Sequence, residues 1–398
     1  MNQIGRYTLI GLFTIFIFSF GFISIFSEDK ESSYWENRTL TQRPALSTDS
    51  ILDGSFTSKF ETYFTDQFPL RDQFVYSYIK YQQLTNQTFV QNHYIDKDHF
   101  VYPKPLDTVP YDAVDMAATN TNKLAAFTQS VGSEFIYFYM PNRVVVLHEN
   151  YPSFLKGETR VEAKDYLLAN LDNNFKKFDL NEYYMSTFSS EDLKKLYYQT
   201  DHHWNAEGSL VGYSYIKDKL ASIFPELQFT ESEYIEHESN PNLEFLGSYN
   251  RQIYNILSDH QDKTNYYDSS TMDYNELKLF INEKTTPLED IYHTEVLNNI
   301  SPVTYAGIFS TDYRQMDLVY PKALNDKKVL IIKDSYTNAI SLLLAEQFTH
   351  TTLYDVRHNQ DRSLYDFIEN GQYDLVLFLN SDVSFTGNNF YFEGGYTN

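Results

Sequence analysis

Cysteine is absent from this chain of 398 residues, which removes disulfide staples, thiolate chemistry and cysteine-ligated zinc together. A chain of this length buries a core without staples, so the absence is compatible with export and does not prove it. Positive charge is scarce: 31 Lys and Arg stand against 54 Asp and Glu, a formal net charge of -23. So acidic a chain repels phosphate backbones, which disfavours nucleic acid as a partner. It also does not lie flat on an anionic bilayer by electrostatics alone. Tryptophan is nearly missing, with 2 residues, whereas Tyr and Phe number 35 and 31. These aromatics read first as ordinary core and surface packing, and second as a stacking surface for sugar rings. No internal repeat or low-complexity tract is present, and 42% hydrophobic with 21% charged residues is a folding composition.

What is present begins with an uncharged run, Tyr7 to Ser27 (YTLIGLFTIFIFSFGFISIFS). At 1.5 Å per residue, about twenty apolar residues cross a bilayer core. Arg6 precedes the run, while Glu28, Asp29 and Glu31 surround Lys30 after it. The positive-inside rule then leaves the N-terminus cytoplasmic and everything after Ser27 outside. No small-x-small site follows, which favours an uncleaved single-pass anchor over a removed signal peptide. Three segments result: 1–27 as cytoplasmic tip and transmembrane anchor, 28–92 as tether and amphipathic helical stalk, and 93–398 as the main domain. In the stalk, Phe56, Phe60 and Phe64, then Phe74, Tyr78 and Tyr81, recur at helical spacing on either side of a break at Pro69.

The main domain reads as α/β. His93 to Tyr102 alternates as a short hairpin, Thr119 to Val131 is helical, and Phe135 to Met140 is a buried strand. Leu155 to Phe178 reads as helix, and residues 225–300 form a polar insertion without clear periodicity. In the last third, strands at Lys328–Ile332, Thr351–Val356 and Asp374–Leu379 alternate with helices at Tyr336–Gln347 and Ser363–Asn370. Such alternation with short connections predicts a mostly parallel sheet flanked by helices. Ligands of such sheets sit outside the carboxyl ends of the strands, which here read Lys-Asp-Ser, Arg-His-Asn and Asn-Ser-Asp.

Two segments are candidates for chemistry, one at a strand end and one earlier in the chain. Ser335 follows a strand and opens a helix, so it is either a helix N-cap or a nucleophile beside a free first-turn N–H. Asp201-His202-His203-Trp204 follows the expected strand Leu-Tyr-Tyr-Gln-Thr and precedes a helix capped by Asn205. On an extended segment Asp201 and His203 face one side and His202 the other, so the carboxylate can fix the tautomer of a general base. A surface Asp–His pair, or a metal held by Asp201, His202 and His203, are the other readings of the same residues.

The sequence resembles the DHHW family, which is related to the alginate O-acetyltransferases of the SGNH hydrolase-like superfamily. The resemblance is carried by Glu36-Asn37-Arg38, Asp66 to Asp72 (DQFPLRD), Ile95 to Tyr102 (IDKDHFVY), Met140 to Arg143 (MPNR), Asp201 to Trp204 and Lys333 to Ala339 (KDSYTNA). It implies an SGNH-like fold and a triad of Ser335 as nucleophile, His203 as base and Asp201 as its orienter, with no metal and no cofactor. It further implies acetyl or other small acyl transfer to an extracellular polysaccharide, with a membrane-bound O-acyltransferase partner supplying the acyl group. A carbohydrate esterase with the same triad, and a non-catalytic glycan-binding or assembly protein, stay open beside it. Arg357 resembles an arginine that holds an anionic or acetylated sugar, with a surface salt bridge as its plain alternative. Asn380 occupies the place of an oxyanion donor. Lys333 stands where the superfamily has glycine, and a side chain there is expected to narrow the cleft.

Overall fold

The computed structural model describes residues 3–36, 38–155, 157–382, 385 and 387–395; Asn37, part of one family match, lies outside them. By contacts the chain divides into two compact units, one of residues up to His93 with Asn250–Ile256, the other of Tyr94–Tyr249 with the remainder.

The first unit begins with α1, Gln3–Phe26, which buries none of its residues and is long and apolar enough to cross a membrane. The expected extended tether contains a small antiparallel pairing of Ser32–Ser33 with Arg38–Thr39. Helices α2 (Ser55–Asp66) and α3 (Arg71–Leu84) follow. They are separated where Pro69 cannot continue a helix and Leu70 takes a left-handed conformation at φ 59°. Arg38 forks onto Asp66 at 3.0 and 2.6 Å, Thr41 N–H donates to the same carboxylate at 2.9 Å, and Arg71 donates to Glu36 at 2.6 Å. The Arg38 guanidinium holds the buried Asp66 carboxyl well below the usual carboxylate range. These pairs account for why two short stretches, Glu36 to Arg38 and Asp66 to Asp72, go together.

The second unit is built on an eight-stranded sheet. Its strands are β1 (Glu134–Tyr139), β2 (Lys176–Asp179), β3 (Lys278–Ile281), β4 (Lys284–Thr285), β5 (Gln315–Val319), β6 (Asn325–Lys333), β7 (Phe348–Tyr354) and β8 (Leu375–Asn380). The order across the sheet is β4-β3-β5-β7-β6-β8-β1-β2. From β7 to β2 neighbours run parallel, and the β4-β3-β5 edge joins β7 antiparallel. The fold is therefore α/β, with a mostly parallel sheet flanked by helices. Side-chain alternation sorts β1 cleanly. Phe135, Tyr137 and Tyr139 join the layer containing helices α4 (Tyr111–Ser130) and α5 (Thr159–Asn170). Ile136 and Phe138 join the layer containing α6 (Ala206–Ile223).

Several expected elements differ in extent. The helix expected over Leu155 to Phe178 ends at Asn170, and residues 176–179 are the edge strand β2, where Phe178 stacks on Phe138. The helix expected over Tyr336 to Gln347 is a 3-10 turn, Ser335–Ile340, followed by a short α-helix, Ser341–Ala345. The unassigned insertion supplies β4 at the sheet edge, its antiparallel neighbour β3, and a separate antiparallel pair of Tyr234–His237 with Tyr266–Ser269.

Candidate active site

The parallel register sets the site. Lys333 is level with Leu379, and Asn380 with Tyr139, so β6, β8 and β1 end side by side. The chain leaving β6 places Asp334 as the helix cap, its carboxylate accepting from Tyr336 N–H. Ser335 is therefore not the cap, which resolves one of its two readings. Its hydroxyl is free to face outward from the first turn.

The Asp201–His203 segment is not a strand. Its backbone bends sharply between Tyr197 and Trp204, which form an isolated bridge. Asp201 Oδ1 accepts from the backbone N–H of His203 at 3.0 Å and contacts His203 Nδ1 at 2.6 Å. The pair meets because the turn folds the side chain over the residue two ahead, not because strand residues alternate. His202 consequently does not point away: its ring lies 3.7 Å from that of His203. His203 Nε2 is 2.7 Å from Ser335 Oγ. Asp201, His203 and Ser335 thus form one hydrogen-bonded line, although 132 positions separate the last two.

The line is held from every side. Ser248 N–H donates to Asp201 Oδ2 at 2.6 Å, and the Ser248 hydroxyl is 2.7 Å from His202 Nδ1. Burial opposes ionisation of Asp201, but the two imidazoles and the Ser248 N–H outweigh it and hold the carboxyl far below the usual range. Desolvation and the neighbouring His203 push the His202 imidazole down, a shift moderated by the 39% exposure of its side chain at the cleft. Tyr305 stacks flat on His203, with centroids 3.7 Å apart and planes 4° apart, and its hydroxyl donates to Ser335 O at 3.1 Å. Trp204 is fully buried and donates from Nε1 to Tyr336 O at 3.1 Å. Both nitrogens of His203 are engaged, so a metal on Asp201, His202 and His203 would have to displace the Asp201 or the Ser335 contact.

Arg143 is fully buried and donates to the carbonyl oxygens of Asp201 at 2.5 Å and Gln199 at 3.1 Å. From the opposite polarity, Asp262 accepts from the N–H groups of Gln199 (2.5 Å) and Thr200 (2.9 Å) and from the Thr200 hydroxyl (2.5 Å). A buried polar turn needs partners for its backbone groups, and these two charged side chains provide them. Sequence reasoning missed Arg143, Asn142, Ser248, Asp262 and Tyr305. Only Asn142 and Arg143 left a signal, as the Pro-Asn-Arg directly after a buried strand.

Ser335 opens into a cleft of about 210 Å³ lined by, among others, Asn142, Arg160, His202, Tyr249 and Arg357. Arg357 lines this cleft while binding Asp355 at 2.9 and 2.6 Å and Asp312 at 2.9 Å. It is a fixed donor inside an ion-pair network, not a loose surface charge. Lys333 belongs to the same network, with Nζ 2.6 Å from Asp312 and 2.8 Å from Asn338 Oδ1. Its side chain is buried away from the cleft and does not narrow it, contrary to the sequence expectation. Asn380 is not brought to the cleft either. Its side chain is buried, and its Oδ1 accepts from Asp382 N–H at 3.2 Å. Asn142 stands in the cleft wall instead, its Oδ1 accepting from Val144 N–H and one Nδ2 hydrogen going to Ser381 O.

Among curated proteins none matches this chain. Among solved structures, Bacillus cereus PatB1 superposes with a TM-score of 0.68 at 25% identity, over 76% of this chain and 99% of that one. A DHHW family protein from Eubacterium siraeum gives 0.54 at 18% identity, over 76% and 94%. The O-acetyltransferase domain of Pseudomonas putida AlgJ gives 0.43 at 12% identity, over 74% and 92%. The profile of the family described as DHHW protein matches residues 148–354. That segment is just over half of the chain and holds both the Asp201–Trp204 turn and Ser335, so the chain belongs to the DHHW family.

Proposed function

We propose that this protein transfers an acetyl or other small acyl group to a hydroxyl of an extracytoplasmic polysaccharide, through an acyl-Ser335 intermediate. The observation that carries the reading is the unbroken line from Asp201 through His203 to Ser335 at the mouth of a cleft. Ser335 Oγ attacks the donor's acyl carbon while His203 Nε2 takes its proton. The tetrahedral oxyanion collapses, the donor's leaving group departs with the proton from His203, and an ester to Ser335 is left. An acceptor hydroxyl then gives its proton to His203 and attacks the ester carbon, and Ser335 departs reprotonated. Asp201 stays ionised throughout and stabilises the transient imidazolium. The Ser335 N–H on the first helical turn and the second Nδ2 hydrogen of Asn142 serve the oxyanion. Arg357, already neutralised by its acids, offers directional hydrogen bonds to acceptor oxygens.

In this reading α1 is an uncleaved anchor that leaves the second unit outside the cell. Cytoplasmic acyl donors cannot reach it there, so a multi-span O-acyltransferase partner passes the acyl group across the membrane.

The test uses the full chain in detergent with a chromogenic acetyl ester, alongside Ser335→Ala and His203→Ala. A burst with an acetyl adduct on Ser335 by intact mass, lost in both variants, supports the nucleophile. Release of that adduct faster by an oligosaccharide than by water then assigns transfer over hydrolysis. A folded wild-type protein that forms no adduct with or without oligosaccharide defeats the proposal and favours a glycan-binding role.

A further inference from the structure

The stalk carries a cluster of phenylalanines whose position relative to α1 has a consequence for its surroundings. Phe68, at the break between α2 and α3, stacks on Phe20 of α1 with centroids 5.3 Å apart and planes 6° apart. Phe74 approaches the same Phe20 ring at 5.9 Å, and Phe64 and Phe74 flank Phe68 at 5.6 and 6.1 Å. Phe16, one turn earlier in α1, lies 4.6 Å from Phe20. Despite these contacts Phe16, Phe64 and Phe74 are 50%, 43% and 47% exposed, and Leu70 at the tip of the break is 56% exposed. A contiguous apolar surface of this kind, left to water, is an association liability.

Depth identifies what covers it. Phe20 lies six residues before Phe26, the last residue of α1, which at 1.5 Å per residue is about 9 Å along the axis. If α1 spans the bilayer, whatever touches Phe20 from the side lies about 9 Å inside the outer end of the span. The polar contacts of the same region cluster beyond that end. Lys30 N–H donates to Gln67 at 2.9 Å, Lys30 Nζ pairs with Asp72 at 3.3 Å, and the Tyr63 hydroxyl donates to Asp29 at 2.9 Å. The break therefore presents apolar side chains on the side of the span and polar partners on the side of water, as an interfacial element does.

We propose that the Phe68-Pro69-Leu70 break, with Phe64 and Phe74, is inserted into the outer leaflet of the membrane that α1 crosses. The covering partner is lipid, and the stalk is a second membrane contact in addition to the anchor. This rests on the reading of α1 as a span, and the experiment separates the two.

Because the chain has no cysteine, single-cysteine labelling needs no background removal. Ile15→Cys in α1, Leu70→Cys, Phe74→Cys and Ile235→Cys in the second unit are made in the full chain. Each is spin-labelled and reconstituted in phosphatidylcholine–phosphatidylglycerol nanodiscs. Power saturation then compares collisions with oxygen, which enriches in lipid, and with a water-soluble nickel chelate. The labels at Leu70 and Phe74 are expected to lie between the other two, with an oxygen-to-nickel ratio at least about threefold above that at Ile235. A ratio at Leu70 and Phe74 equal to that at Ile235, while Ile15 reports lipid, overturns the insertion alone. Water access at Ile15 overturns the anchor and the insertion with it. A bimane at Leu70 that brominated lipids fail to quench, although it is shielded from water, shows a protein partner in place of lipid and also overturns the proposal.

Discussion

Asp201→Asn removes one charge and almost no volume, and the structure fixes what it should cost. The carboxylate accepts three N–H groups: the backbone and Nδ1 of His203 on Oδ1 at 3.0 and 2.6 Å, and Ser248 N–H on Oδ2 at 2.6 Å. An asparagine has one acceptor oxygen. Facing His203, that oxygen keeps two bonds and sets its NH2 against Ser248 N–H. Facing Ser248, it keeps one bond and forces the imidazole proton onto Nε2, where His203 cannot accept from Ser335. The first orientation loses one buried acceptor, about 1–3 kcal/mol; the second loses two. The variant should therefore keep the working tautomer and lose only the counter-charge of the imidazolium. That predicts acylation slower by about 10²–10³-fold, or about 3–4 kcal/mol of barrier at 1.36 kcal/mol per decade. A tautomer error would cost about 10⁴-fold. Stopped-flow burst kinetics on a chromogenic ester, with intact-mass quantification of the adduct, measures the step. A folded variant that acylates within tenfold of wild type would refute the role given to Asp201. Stability supplies a second reading. The folded carboxyl titrates far below its unfolded value, so its contribution is complete above the unfolded pKa and is lost as pH falls towards the folded one. The gap between wild type and Asp201→Asn should be constant from about pH 5 to 8. Below about pH 4 it should narrow by roughly 1.4 kcal/mol per pH unit.

Three further outcomes follow from the same geometry. Asp262→Asn loses at least one of three acceptor contacts to the Gln199–Thr200 backbone and hydroxyl; urea titration should show a loss of about 1–3 kcal/mol, and steady-state kinetics a fall in kcat with little change in KM. His293 stacks on Tyr266 at 3.5 Å with both ring nitrogens buried and without a hydrogen bond among the described residues, and burial, only partly offset by Asp268 at 4.0 Å from Nε2, pushes its pKa down to about 4. The unfolded chain takes up that proton first, so stability should decline as pH falls from about 6.5 to about 4, and His293→Phe should flatten the decline in pH-dependent melts. A Cβ on Gly212 would run into the Trp204 ring, so Gly212→Ala should destabilise by about 1–3 kcal/mol and weaken the Trp204 to Tyr336 contact, detectable as a shift in tryptophan emission.

The parts legible in the sequence are those whose cause is local. Strands β6, β7 and β8 show themselves because each is a short apolar run set between turn residues, and their alternation with helices dictates parallel pairing. Strands β3 and β5 are not legible because polar or charged residues interrupt them, Lys278 in one and Gln315 and Asp317 in the other, and because they pair with each other across the whole of residues 282–314. Asp201, His203 and Ser335 were legible as residue types, but the geometry expected for the first two was wrong: Asp201 and His203 meet across a turn, and a strand would have turned His202 away. The reason lies in what a buried turn requires. Residues 199–203 expose amides and carbonyls that no sheet or helix satisfies. Arg143 takes two carbonyls and Asp262 two amides, from 58 and 63 positions away in the chain. Ser248, in the stretch without periodicity, takes the last free oxygen of Asp201. Each partner is an ordinary polar residue in its own neighbourhood and has meaning only once the fold brings it to the turn. The polar insertion that looked least informative thus helps Arg143 to hold an ionised carboxylate and the His203 imidazole in a buried place, with His202 at the cleft beside them.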